Sequence, residues 1–237
     1  MDQIDEILYN VFKGNLDYVG SHDVNYFNSF KDSQNPRIAL LTCSDSRVQT
    51  SIFGIDSINE IFVVRNIGNQ IMPVFGSIDY AIYHLKTPVL IIMGHTHCGA
   101  IRAVFSNYEN ETFDIIRELD HLSIPIRHIK HRKHDFEEEW LRITEQNIDY
   151  QVKLAVKKYS SLIAKGALTV LGVINDFINV FNSGEGKLII VNVNGVIDPE
   201  LNKNNPAFKH FDSDFKENSF LRAIIHKNEK IFKSALD

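Results

Sequence analysis

The sequence predicts an α/β fold, a mostly parallel central sheet flanked by helices. Short apolar, β-branched runs alternate with stretches of helical periodicity along most of the 237 residues. Several of these runs are apolar almost throughout, as expected of strands buried on both faces. A hydrophobic content of 44% and a charged content of 23% are those of an ordinary globular chain long enough to bury a sizeable core.

In chain order, residues 1–32 carry "IDEILYNVF" at helical spacing and are expected to form a helical arm. "RIALLTC" (37–43), after Pro36, reads as a first strand, and "EIFVVRNIGN" (60–69) as a second that ends in a glycine loop. "GSIDYAIYHL" (76–85) places Ile78, Ile82 and Leu85 on one helical face, and "PVLIIMG" (88–94) is a third strand. Residues 99–164 read as helical with a break near Pro125. "ALTVLGVIND" (167–176) and "KLIIVNVNG" (187–195) are two more strands, and the short "NSGEG" turn between them predicts an antiparallel edge. Residues 197–237 form a polar tail with a helix near its end, and no linker or repeat interrupts 1–237, so a single domain is expected.

A net charge of −5 argues against nucleic acid and against an acidic partner. No apolar run reaches the ~18 residues of a membrane helix, and the acidic opening "MDQIDEILYN" is no secretory signal. Two cysteines 55 residues apart are no disulfide framework. Cytoplasm is the expected compartment, where a cysteine beside histidines binds metal or reacts.

Cys43 ends the first strand, and "GHTHC" brings His95, His97 and Cys98 to the end of the third. In open α/β sheets, sites form outside the carboxyl ends of strands. Two thiolates and one imidazole suit zinc and leave its fourth position open, the pattern of a catalytic site. The residues alone leave open which histidine is the ligand, and both thiols read equally as small buried hydrophobes. Beside a net-neutral zinc–dithiolate, a carboxylate held ionised by a cation would serve to orient a bound hydroxide. "CSDSR" supplies Asp45 and Arg47 for that, a pair able to bond in bidentate fashion.

"CSDSRV", "FVVRNIGN", "GSIDYAIYHLK" and "GHTHCGA" resemble, in order and spacing, the motifs of the beta-class carbonic anhydrases, from about Gln34 to Gly195. The resemblance implies one zinc per chain on Cys43, His95 and Cys98, with His97 left at the site edge. It implies reversible hydration of CO2 to bicarbonate by zinc-hydroxide attack, with Asp45 orienting the hydroxide and Arg47 holding Asp45. Pocket walls would be Phe62, Ile67 and Tyr80, whose reading from the residues alone is core packing. Gln34 and the Gly99 N–H would be donors. A homodimer or dimer of dimers is implied, the second subunit completing the wall.

Leu40 stands where a regulated branch of the family carries a tryptophan, so the resemblance favours the branch with an open zinc site and no bicarbonate gating. Gly68, where relatives carry alanine or glycine, reads as a minor matter. Two other functions remain: hydrolysis of carbon disulfide or carbonyl sulfide on the same zinc, and a non-catalytic zinc module. "RHIKHRKHD" (127–135) holds His128, His131 and His134, which read as a solvated basic surface with a second metal site as the alternative.

Overall fold

The structure, a computed structural model, describes residues 2–106, 108–126 and 136–223. The chain divides into two compact units, Met1–Asn35 and Pro36–Asp237. The first is helical, as its periodicity predicts. Helix α1 (Gln3–Gly20) starts at Asp2, whose side chain accepts from the Asp5 amide at 2.8 Å in a capping box. Its apolar residues Ile4, Ile7, Leu8, Val11 and Phe12 are exposed. In α2 (Val24–Asn28), Asp23 caps the Tyr26 amide at 3.0 Å.

In the second unit, β1 (Ile38–Cys43) lies between β2 (Ile61–Asn66) and β3 (Val89–His95). The helix between β2 and β3 is α3 (Phe75–Asp79), continued by a π turn over Tyr80–His84. After β3 come α4 (Gly99–Ser106), α5 (Phe113–Ile126) and α6 (Phe136–Ala164), then β4 (Thr169–Asp176) and β5 (Lys187–Val193). The sheet order is β2-β1-β3-β4-β5, parallel except for the β4–β5 pair. The chain leaves β1 for β2 on one side and returns to β3 on the other, so the carboxyl ends of β1 and β3 flank the point where the order reverses.

Alternate strand residues feed two cores, which is why the runs are apolar throughout. Ala39, Leu41, Leu90, Ile92 and Val170 pack with Ile148, Val152, Ala155 and Tyr159 of α6. Leu40, Ile91, Met93 and Val173 pack on the other face with Val48 and Ile61. Helix α6 lies so close to β3 that a Cβ at Gly94 would stand 2.8 Å from Ile148.

Two expectations are modified. The helical region breaks first at a turn after α4, where the Glu111 amide donates to the Tyr108 carbonyl at 3.1 Å. Pro125 lies within α5, and the expected break there adjoins 127–135, which, with His128, His131 and His134, fall outside the described residues. The tail is more than a polar end: Phe208, between α7 (Pro199–Lys203) and α8 (Ser213–Ser219), and Phe220, just after α8, are buried in one cluster with Val193.

Candidate metal centre

The turn that follows β3 returns the chain on itself at His97, which takes a left-handed conformation with φ 55°. This brings Cys98 back towards the strand ends. Donor atoms of Cys43, His95 and Cys98 all lie within 4.8 Å of one another, and all three residues are buried. The two sulfurs are 4.0 Å apart. Zinc–sulfur bonds of about 2.3 Å at a tetrahedral angle would set them about 3.8 Å apart, so the spacing fits that ion.

The imidazole of His95 is prepared for a metal. Nδ1 lies 2.9 Å from the Thr96 carbonyl oxygen, which can only accept, so the ring proton is on Nδ1. Nε2 then carries the lone pair, is buried, and has no hydrogen-bond partner among the described residues. A bare acceptor at full burial is costly unless something fills it.

The two thiols are hydrogen-bonded to one another and shift each other in opposite directions. Hydrogen bonding from Cys98 holds Cys43 down to about 4 against the opposing effect of burial, with help from the Gly68 and Asp45 amides. The same bond, reinforced by burial, pushes Cys98 well up, opposed by the Ile101 and Ala100 amides of the first turn of α4. Two thiolates at this distance need a counter-charge, which a divalent cation supplies in place of the proton.

Arg47 grips Asp45 with both arms of its fork, Nε to Oδ1 at 2.9 Å and Nη2 to Oδ2 at 2.7 Å, and its own amide donates to Oδ1 at 3.0 Å. This pairing, above all other effects, holds the Asp45 carboxyl down to about 2. Oδ2 stands 3.8 Å from His95 Nε2. Arg47 Nη2 also donates to the His97 carbonyl at 3.1 Å, and its guanidinium lies over Phe177 at 5.1 Å. The His97 side chain is engaged elsewhere, with Nε2 2.6 Å from Glu137 and its ring stacked on Trp140.

The remaining candidates are less closely gathered. Phe62 is half-buried and pairs with exposed Tyr80 at 6.0 Å. Ile67 is exposed, on the loop whose Gly68 amide meets the Cys43 sulfur. Gly99 is exposed at the start of α4, and a Cβ there would meet nothing within 4 Å. Gln34 is exposed in the N-terminal unit.

Three neighbours of the site went unread in the sequence. Phe177, 5.3 Å from the His95 ring, directly follows β4 and was open to the strand-end rule that selected Cys43 and His95. Glu137 and Trp140 lie far along the chain on α6 and carried no local signal.

The family model described as "Carbonic anhydrase" matches residues 38–185. The chain is 39% identical over 95 residues to a carbonic anhydrase of Synechococcus elongatus, covering 37% of this chain and 34% of that protein. It spans about a third of the length of the curated relatives it matches first. The beta-carbonic anhydrase CcaA superposes with a TM-score of 0.67 at 23% identity, over 81% of this chain and 96% of that one. A tetrameric beta-carbonic anhydrase of Sordaria macrospora superposes with a TM-score of 0.65 at 23% identity, over 80% and 98%. The chain belongs to the carbonic anhydrase family, and its fold is that of the beta class.

Proposed function

We propose that this chain catalyses the reversible hydration of CO2 to bicarbonate and a proton, with one zinc held by Cys43, His95 and Cys98. The observation that carries the reading is the buried Nε2 of His95, without a hydrogen-bond partner among the described residues, beside two buried thiols whose sulfurs are 4.0 Å apart. Zinc, when bound, supplies a Lewis acid that makes water nucleophilic near neutral pH. Asp45, with Oδ2 3.8 Å from His95 Nε2, would accept the hydrogen bond of the nucleophilic water and so orient it. Arg47 keeps Asp45 ionised and turned away from the metal position.

The Gly99 N–H belongs to the leading amides of α4, which have no intrahelical partner, and donates to the oxygen that gains charge. Phe62, Ile67 and Tyr80 make apolar walls for an apolar substrate. Leu40, 1% exposed in the core, offers no group to a regulatory bicarbonate. The working form is a homodimer or dimer of dimers. Val63, Ile67 and Tyr80 are exposed around the edge strand β2, and the Sordaria macrospora neighbour is a tetramer. The compartment is the cytoplasm, where both thiols stay reduced. No described helix is long and apolar enough to cross a membrane.

Stopped-flow CO2 hydration with a pH indicator, on zinc-loaded chain and on Cys98→Ser, tests the activity. Fast hydration that disappears in the variant is expected. A chain with one zinc that is inert towards CO2 sinks the reading and directs attention to carbon disulfide and carbonyl sulfide.

A further inference from the structure

The indole of Trp140 holds the metal-site turn without offering it a ligand. Trp140 is 7% exposed on α6, and its Nε1–H donates to the Cys98 carbonyl at 3.0 Å. Its face stacks on His97, ring centres 4.7 Å apart and planes 10° from parallel. His97 lies in the left-handed region, a conformation that a residue with a side chain keeps only when its surroundings impose it. The stack and the bond from Nε2 to Glu137 impose it here. That conformation returns Cys98 towards Cys43 and His95, and it presents the His97 carbonyl to Arg47 at 3.1 Å.

The same helix reaches the other cysteine. Asn147, two turns along α6, donates from Nδ2 to the Gly68 carbonyl at 3.0 Å, and the Gly68 amide faces the Cys43 sulfur. Each cysteine is therefore tied to α6 through one peptide carbonyl near it.

We propose that Trp140 is a positioning residue of the metal centre, bracing the His97–Cys98 turn from α6 so that Cys98 and the Asp45–Arg47 pair keep their places. The proposal rests on the zinc reading above and extends it to a residue outside the strand-end motifs. It concerns how firmly metal is held, a property read separately from turnover.

The test loads wild type, Trp140→Phe and Trp140→Leu with zinc and times its transfer to a chromophoric chelator. Melting of each metal-free chain is followed in parallel. Phenylalanine keeps a ring against His97 and loses the N–H, so zinc should leave roughly tenfold faster, and faster again from the leucine variant. A purely structural residue would lower the metal-free melting temperature and leave release from the still-folded chain unchanged. Equal release times in all three overturn the proposal.

Trp140 is the chain's single tryptophan, so wild type carries its own probe. Zinc uptake must shift its emission, and uptake with unchanged emission overturns the proposal even where neither variant folds. A wild-type chain that binds zinc, does not hydrate CO2 and shows the graded release times sinks the activity and upholds the brace. An active chain with equal release times sinks the brace alone.

Discussion

The sulfurs of Cys43 and Cys98 stand 4.0 Å apart. This is well beyond the ~2.05 Å of a disulfide and close enough for a hydrogen bond between them. Metal binding must displace the proton of that bond. Zinc uptake at pH 7 should release about one proton per chain, because the bond between the thiols holds Cys43 down and pushes Cys98 up. Calorimetry in buffers of different ionisation enthalpy reads the number directly. Release of two would mean that both thiols are protonated in the free protein.

The Asp45–Arg47 pair should appear in acid stability. Asp45 is held at about 2, below the ~3.9 of an unfolded chain. Its contribution is therefore complete above about pH 4 and lost as pH falls towards about 2. Melting temperatures across that window should fall more steeply for wild type than for Arg47→Gln. In zinc-loaded crystals of Arg47→Ala, Asp45 should turn onto the metal, with hydration slowed roughly a hundredfold or more.

Gly68 is not the minor position its sequence suggests. Its φ is +78°, and a Cβ there would stand 2.5 Å from Leu122. Gly68→Ala should cost roughly 1–3 kcal/mol by denaturant titration. Because the Gly68 amide meets the Cys43 sulfur, zinc should also be held less tightly.

The tail is anchored by a buried ionic cluster. Arg222, its side chain 6% exposed, bonds Asp149 at 2.8 Å and lies 3.4 Å from Glu145. Removing it by Arg222→Ala takes the cation from Asp149 and from buried Glu145, which keep bonds from Asn192 and the Ala223 amide, and should cost roughly 1–3 kcal/mol. Burial, opposed by Arg222, pushes Glu145 up to about 7. The folded chain thus binds a proton that the unfolded chain, with a pKa of ~4.3, has released. Stability from this group therefore falls as pH rises from about 4.3 to about 7. Glu145→Gln, which can keep the bond from the Ala223 amide, should flatten that slope in urea melts at stepped pH.

Much of the fold was legible because its strands are short apolar runs bounded by proline and glycine. Pro36 precedes β1, and the glycine-bearing turn before Lys187 separates an antiparallel pair. The convergence of Cys43 with His95 and Cys98 was legible from the rule that parallel strands open their sites at the carboxyl ends. The turn after α4 was missed because "NYENET" lacks proline and glycine. The packing of the tail was missed because Phe208 lies among polar residues and Phe220 directly follows the polar stretch "KENS", so neither falls on a clear apolar period.

By itself the sequence determined which strands form and which donors stand at their ends, since both are local patterns of two to seven residues. The tertiary structure alone decided that His97 turns to Glu137 and Trp140 and that Nε2 of His95 is left bare. It also decided that α6 braces both cysteine loops. Those contacts join residues 42 and 79 positions apart in the chain. They depend on how closely α6 settles over Gly94, a distance set by packing rather than by local periodicity.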